Sequence, residues 1–239
     1  MRSNRIFHSS ESRGKADHGW LKSRHTFSFA NYHNPDRVHF GALRVLNDDI
    51  VAPGMGFGTH PHQNMEIVSI PLAGDLEHKD SMGNVQVIKN GDLQVMSAGT
   101  GITHSEFNRN RNEEVRFLQI WIIPNKQGVQ PRYDQIKLDT AKRLNAFDQI
   151  LSPNPNDDGV WIHQDAWFHL ATLEEGKSLT YQIKKPGNGV YWFVIDGSVS
   201  VDEDILANRD GLACNDQQQF SVLGRAKRSE LLVMEVPML

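Results

Sequence analysis

Residues 54–62 read GMGFGTHPH, and residues 97–108 read SAGTGITHSEFN. The first stretch holds a His-x-His pair, His60 and His62, and the second holds a His-x-Glu pair, His104 and Glu106. Side chains at positions i and i+2 of a β-strand point to the same face, so each pair aims both of its groups in one direction. Two such strands lying side by side would bring together three imidazoles and one carboxylate, a set that suits a divalent first-row transition metal.

The second pair is what distinguishes a metal site from chance. The chain has 11 histidines, so one His-x-His pair on an exposed strand is expected without any ligand role. A second pair with the same spacing, within hairpin range of the first, favours a shared ion. Four ligands on an octahedral ion leave positions open, which is typical of catalytic rather than structural metal sites.

The residues around both pairs resemble the two consensus motifs of the cupin superfamily, G-x5-H-x-H-x3-E-x6-G and G-x5-P-x-G-x2-H-x3-N. The chain departs from these motifs by an extra residue before Gly74, by Ser97 where proline is usual, and by two extra residues before His104. Three strings are similar to the pirin family within that superfamily: HTFSFANYHNP at 25–35, HPHQNMEIVSIPLAG at 60–74 and QVMSAGTGITHSEFN at 94–108. The resemblance is closest to bacterial pirin-like proteins described as quercetin 2,3-dioxygenases.

Short β-branched and aromatic runs between Gly, Asn and Asp turns predict an all-β chain. The predicted strands are 41–46, 66–72, 85–88, 93–96, 115–123, 178–183, 190–195, 199–201, 220–223 and 231–236. Many short strands at regular spacing indicate a sandwich or a barrel. Thr140–Ala146 carries a weak helical signal, and Ser152–Gly159 is predicted to be an exposed, mobile loop.

The second half of the chain repeats the pattern of strands and turns of the first. Tyr191–Val201 reads as a strand, a glycine turn and a return strand, as Ile67–Leu76 does, but the second half has neither histidine motif. The pirin resemblance implies a bicupin, in which two jelly-roll β-barrels pack together with little helix. We therefore expect an N-terminal metal-binding cupin barrel at 1–128 and a C-terminal cupin barrel without a metal site at 129–239.

His60, His62 and His104 are the predicted nitrogen ligands. The residues alone leave the carboxylate open, because Glu66 has the same strand parity as the first histidine pair and Glu106 follows His104. In most cupins the glutamate at the position of Glu66 binds the metal, whereas the pirin resemblance implies Glu106. We expect Glu106 to be the fourth ligand and Glu66 to support the site or face the core, and both are candidate catalytic carboxylates.

Other polar residues fit structural roles better. A buried, hydrogen-bonded side chain explains His25 as well as a functional role does, and His78 and Asp80 beside a turn are expected in solvent. His163–Asp165 is expected to make a structural contact, and Cys214 has no neighbouring cation or base that would make it a nucleophile. The aromatic residues expected mostly in the core, with some walling an apolar pocket, are Trp20, Phe27, Phe29 and Phe40.

Composition narrows the functional classes. A net charge of −4 and a pI near 6.2 give no sign of a nucleic-acid surface. A single cysteine precludes an internal disulfide and suits a reducing compartment. The N-terminus lacks the apolar core of a signal peptide, and no apolar run has the length of a membrane span. The expected location is the cytoplasm.

The mixed nitrogen and oxygen ligand set suits one divalent transition metal per chain. The pirin resemblance implies Fe(II), while Zn, Mn, Co, Ni and Cu also fit such ligands. It also implies a dioxygenase that cleaves a flavonol such as quercetin with O2 and releases carbon monoxide, so the expected partners are a small enolic aromatic substrate and O2. The alternative is a metal-binding regulatory protein that acts through protein partners and senses the redox state of iron, and a cupin isomerase is a weaker third option.

Overall fold

A computed structural model describes residues 5–239 and contains twenty-two β-strands in that range. In chain order the strands are β1 (Arg5–His8), β2 (Gly14–Asp17), β3 (Leu21–His25), β4 (Leu43–Val51), β5 (Gly56–His62), β6 (Glu66–Ala73), β7 (Leu76–Asp80), β8 (Val85–Ile88), β9 (Asp92–Ser97), β10 (Ile102–Asn108), β11 (Val115–Ile122), β12 (Arg132–Lys137), β13 (Asp148–Ser152), β14 (Val160–Trp161), β15 (Trp167–Glu174), β16 (Ser178–Gln182), β17 (Asn188–Asp196), β18 (Val199–Val201), β19 (Asp204–Leu206), β20 (Gly211–Cys214), β21 (Gln219–Gly224) and β22 (Arg228–Pro237). One short 3₁₀ helix, Ser10–Ser12, joins β1 to β2.

The strands form two sandwiches, each with a seven-stranded and a four-stranded sheet. The first sandwich has the strand orders β12-β9-β6-β11-β4-β3-β2 and β5-β10-β7-β8. The second has the orders β1-β20-β17-β22-β15-β13-β14 and β16-β21-β18-β19. The all-β bicupin prediction is confirmed, and the jelly rolls are sandwiches rather than closed barrels.

The large sheets are covered on both faces, which explains their nearly continuous apolar runs. On β11, Phe117 faces the interior of the first sandwich, while Leu118 and Ile120 belong to a core shared with the second sandwich. On β17, Tyr191 and Phe193 join the same shared core, and the alternate residues Val190, Trp192 and Val194 face the interior of the second sandwich. Alternate side chains of one strand therefore fill two different cores.

The two sandwiches exchange edge strands. β1 pairs antiparallel with β20 of the second sandwich, and β12 pairs antiparallel with β9 of the first. The hydrogen-bonded sheets thus do not divide at residue 128, and the division into 1–128 and 129–239 stays a prediction about folding units.

The local predictions vary in accuracy. β8 and β18 have the predicted bounds, but β12 and β15 were not predicted. The Thr140–Ala146 segment forms hydrogen-bonded turns instead of a helix, with Lys142 N donating to the Asp139 carbonyl. Residues 154–159 are exposed, as predicted for that loop. Within residues 5–239 no helix has the length and apolar character needed to cross a membrane.

Candidate metal centre

β5 and β10 are antiparallel neighbours, and their register places the two histidine motifs side by side. His60 lies opposite His104, and His62 lies opposite Ile102. The pairing is close at its other end, because a Cβ at Gly56 would collide with the backbone of Glu106 and Phe107. A β-bulge between His104 and Glu106 shifts the register relative to β5.

The structure brings His60, His62 and His104 together, with ligand nitrogens that all lie within 4.8 Å of one another. Their ring centroids are 4.5 to 4.9 Å apart. His60 Nδ1 lies 2.7 Å from the Gly58 carbonyl, which can only accept, so Nδ1 carries the proton and Nε2 is left with its lone pair.

His104 supplies the strongest sign of a missing partner. Its side chain is buried, and neither ring nitrogen has a hydrogen-bond partner among the described residues. Buried polar atoms are normally satisfied, so an orphaned imidazole beside two others fits a metal ligand. The donor set of three imidazoles accommodates one divalent ion.

Burial keeps the imidazoles of His62 and His104 neutral and so able to bind a cation. Desolvation and the neighbouring His60 lower the pKa of His62 to about 4. Desolvation, followed by the other histidines, lowers the pKa of His104 to about 2. At neutral pH both rings are deprotonated, which is the ligating form.

Glu106 follows His104 on the same face of β10 and reaches across the sandwich. Its Oε1 accepts from Ser69 Oγ of β6 at 3.3 Å, and its Oε2 accepts from Gln119 Nε2 of β11 at 3.0 Å. Burial raises its pKa to about 7, against the opposing effect of these two hydrogen bonds. The carboxylate is not part of the group whose ligand atoms all lie within 4.8 Å, so its role as fourth ligand stays a prediction.

Glu66 is not brought to the histidines. The chain turns between β5 and β6, where Asn64 has φ 49°, so the strand parity that related Glu66 to the histidines is interrupted. Glu66 is 1% exposed and accepts from Ser97 Oγ at 2.6 Å, on the face of β6 opposite Ser69. Burial raises its pKa to about 7, partly offset by Ser97 and Arg132. This core-facing placement is one of the two predicted for Glu66, and its role as a catalytic carboxylate stays a prediction.

Replacing Glu66 by glutamine is expected to remove a pH dependence of stability. The folded-state pKa, about 7, lies above the unfolded value near 4.5, so the contribution of Glu66 is complete at low pH and is lost as the pH rises through 7. Between about pH 5 and 8 the unfolding free energy of the wild type should fall by up to about 3 kcal/mol more than that of Glu66→Gln. Urea unfolding measures this, with Glu203→Gln, at an exposed position, as the matched control. Equal pH profiles for wild type and Glu66→Gln would contradict it.

Two aromatic residues extend from the histidines. The ring of Trp121 is 4.9 Å from that of His62 in an edge-to-face arrangement, and Phe29 packs on Trp121 at 5.4 Å. The sequence did not predict that Trp121 lies beside the histidines, because Trp121 belongs to an apolar run that is typical of a buried core strand. An open cavity of about 560 Å³ beside His62 is lined by Pro61, His62, Gln63, Ser81, Thr100, Gly101, Ile102 and Thr103.

The prediction that His78 and Asp80 lie in solvent is wrong. Both side chains are buried, and His78 Nε2 lies 3.1 Å from Asp80 Oδ2. The His78 ring is 5.3 Å from that of His104 and 4.8 Å from Tyr133 of β12. Part of the cover over His78 is Tyr133 of β12, a strand distant in sequence, and Asp80 is also held by Asn84 of the turn.

The remaining candidates have structural environments. His25 is buried against Phe29, although its Nδ1 has no described partner. His163–Asp165 makes the predicted structural contact, since the His163 carbonyl accepts from Asn125 N. Burial raises the pKa of Cys214 to about 12, so its thiol stays protonated. Phe27 and Phe40 lie in the core between the sandwiches, and Trp20 packs on Phe57.

Comparison with known proteins identifies the family. The Pirin model matches residues 6–122, and a model described as the quercetinase C-terminal cupin domain matches residues 149–236. The chain is 42% identical over 225 residues to quercetin 2,3-dioxygenase of Escherichia coli strain K12. The aligned residues cover 94% of this chain and 95% of the relative. The chain belongs to the pirin family.

Other pirins support this assignment. The chain is 40% identical over 210 residues to a pirin-like protein of Caulobacter vibrioides, with 87% of this chain and 90% of the relative covered. The crystal structure of bacterial pirin YhhW of Escherichia coli in complex with nickel(II) superposes with a TM-score of 0.93 and 39% identity, covering 99% of this chain and 100% of that one. The histidine cluster and this metal-bound relative together support a single divalent metal.

Proposed function

We propose that this pirin is a metal-dependent dioxygenase that cleaves a flavonol such as quercetin with O2 and releases carbon monoxide. The observation that carries the proposal is the cluster of three histidines in a chain 42% identical, over 94% of its length, to a quercetin 2,3-dioxygenase. The substrates are then a small enolic aromatic molecule and O2.

The metal of this proposal is Fe(II), held by His60, His62 and His104 with Glu106 as the fourth ligand. The orphaned nitrogens of His104 and the free Nε2 of His60 are consistent with that role. A bound divalent ion would lower the pKa of an enolic hydroxyl and offer open positions to substrate and O2.

The chain's own residues orient the substrate and handle its proton. Trp121 and Phe29 are placed to pack against a planar ring system next to His62, at about 0.5–1.5 kcal/mol per aromatic pair beyond the area buried. Glu106 is the candidate proton acceptor for the enolic hydroxyl when it releases the metal transiently, and Ser69 and Gln119 donate to its carboxylate.

The test is turnover of quercetin by protein loaded with Fe(II) under anaerobic conditions. After O2 is admitted, we expect loss of the quercetin absorbance band with matching O2 consumption and carbon monoxide release. Metal-free protein and His62→Ala should show none of the three. Fully metallated protein that binds quercetin without O2 uptake above that of free metal would contradict the enzymatic proposal and favour the regulatory alternative.

A further inference from the structure

A group of cationic side chains lies on the face of the large sheet that is turned away from the histidines. Lys22 and Arg24 share one face of β3, and Arg24 lies opposite Asp48 of β4. Asp48 in turn lies opposite Leu118 of β11, which packs into the core between the sandwiches. The metal centre occupies the other side of this sheet, where Gln119 contacts Glu106.

Three guanidinium groups meet there with unused hydrogen-bond donors. Arg13, Arg24 and Arg209 each have at least one buried N–H nitrogen without a partner among the described residues. The Arg13 side chain is only 3% exposed, yet both its Nε and one Nη lack an acceptor. Burying a charged donor without an acceptor is costly, so this group of arginines indicates an acceptor that the chain does not supply.

Asp48 is the one carboxylate that contacts these arginines within hydrogen-bonding or ion-pair range among the described residues. Its Oδ2 lies 3.5 Å from Arg13 Nη2 and 3.4 Å from Arg209 Nε. A cavity of about 320 Å³ at this point is lined by six charged side chains, which are Arg13, Lys22, Arg24, Arg209, Glu11 and Asp48. Four cationic and two anionic side chains leave an excess of two positive charges, in a protein whose net charge is −4.

Arg209, which lines the cavity, is held in an unfavourable backbone conformation. Arg209 has φ 65°, a left-handed value that is unfavourable for a non-glycine residue. The carboxylate of Asp210 fixes this turn, because it accepts from Ala207 N at 2.9 Å and from Ser10 N at 2.7 Å. The same side chain therefore ties the turn of the second sandwich to the segment before β2.

We propose that this cavity, hereafter the arginine pocket, binds a phosphate dianion, either inorganic phosphate or the phosphate group of a small monoester. Guanidinium groups bind phosphate oxygens through paired N–H donors, and the charge of a dianion matches the excess of two. Arg24 comes from the first sandwich, Arg209 comes from the second, and Arg13 lies in the link between β1 and β2, so the ligand bridges both sandwiches. This site is independent of the dioxygenase proposal, since it lies across the sheet from the histidines.

The test is isothermal titration of the whole metallated protein with sodium phosphate at an ionic strength held constant with potassium chloride. We expect the titration to show one phosphate per chain. Thermal unfolding should show a rise in Tm of roughly 5 °C when the phosphate concentration is ~100 times Kd. Phenyl phosphate provides a second arm: tighter binding than inorganic phosphate identifies a monoester as the source, and weaker binding identifies the free ion. Absence of phosphate binding, or acetate binding as tight as phosphate, would overturn the proposal.

Variants separate the arginine pocket from unspecific attraction. Arg24→Gln and Arg209→Gln should each weaken phosphate binding by about tenfold or more, whereas Arg225→Gln, an exposed arginine with the same charge change, should not. Asp48→Asn removes the competing carboxylate and should tighten binding by about tenfold. Equal affinities in Arg24→Gln and Arg225→Gln, or weaker binding in Asp48→Asn, would refute the site. Circular dichroism confirms that each variant is folded.

Discussion

Replacing His104 by alanine is expected to empty the metal centre and abolish turnover. His104 is the most buried of the three clustered histidines, and no described residue satisfies either of its ring nitrogens. Residues that only support a metal ligand typically cost ~10–100-fold in affinity or activity when changed, so loss of the ligand itself should exceed that range. Elemental analysis after dialysis should show metal falling from about one equivalent per chain to near zero.

The matched control for this prediction is His18→Ala, because His18 is an exposed histidine. That variant should keep its full equivalent of metal and its activity. The same analysis tests whether the second sandwich is free of metal, as its lack of both histidine motifs predicts. Two equivalents per chain, or metal that survives in His104→Ala, would contradict a single site in the first sandwich.

The histidine cluster was predictable because its information is local. Within one strand, the i and i+2 rule fixes the direction of side chains. The antiparallel pairing of β5 with β10 then places the two motifs side by side. The extra residue before Gly74 also has a simple structural equivalent. The register of β6 against β11 skips Leu72, so the insertion is absorbed as a β-bulge and the motif keeps its shape.

Glu66 shows where the local rule ends. The parity argument holds only inside one strand, and the turn at Asn64 places Glu66 on a new strand whose faces are set by pairing with β11 and β9. Ser97, the departure from the cupin motif, donates to Glu66 and satisfies it on that other face. The serine at position 97 and the core-facing placement of Glu66 therefore belong to one structural feature, a hydrogen bond between two strands. Neither strand predicts this feature from its own sequence.

The prediction that His78 and Asp80 lie in solvent was wrong for a different reason. The strand LEHKD reads as solvated because its residues are polar, yet burial depends on what covers a strand. Here the cover includes Tyr133 of β12, a strand that follows the first sandwich in sequence and returns to its edge. The exchange of β1 and β12 between the sandwiches is a pairing of strands that are distant in sequence. Hydrophobic periodicity does not predict which distant strands will pair.

Replacing Glu106 by glutamine should weaken metal retention far more than the same change at Glu66. Both carboxylates are buried and both have a pKa raised to about 7 by that burial, so the pair is matched in chemistry and differs in place. Glu106 lies on the strand face of His104, whereas Glu66 faces the interface between the sandwiches. The amide at 106 keeps one oxygen that can accept from Gln119, and the Ser69 hydroxyl can turn to accept from the amide N–H, but the variant loses the charge that a divalent ion needs.

Competitive titration with a metal chelator measures the two affinities directly. We expect Glu106→Gln to weaken metal binding by about 100-fold or more, and Glu66→Gln to leave it within about twofold of wild type. If Glu106 is instead only a proton acceptor, its variant will keep the metal and lose kcat. If Glu66→Gln is the variant that empties the site, the carboxylate assignment is wrong and the arrangement of most other cupins applies, because the metal would then have to recruit a side chain from the opposite face of β6.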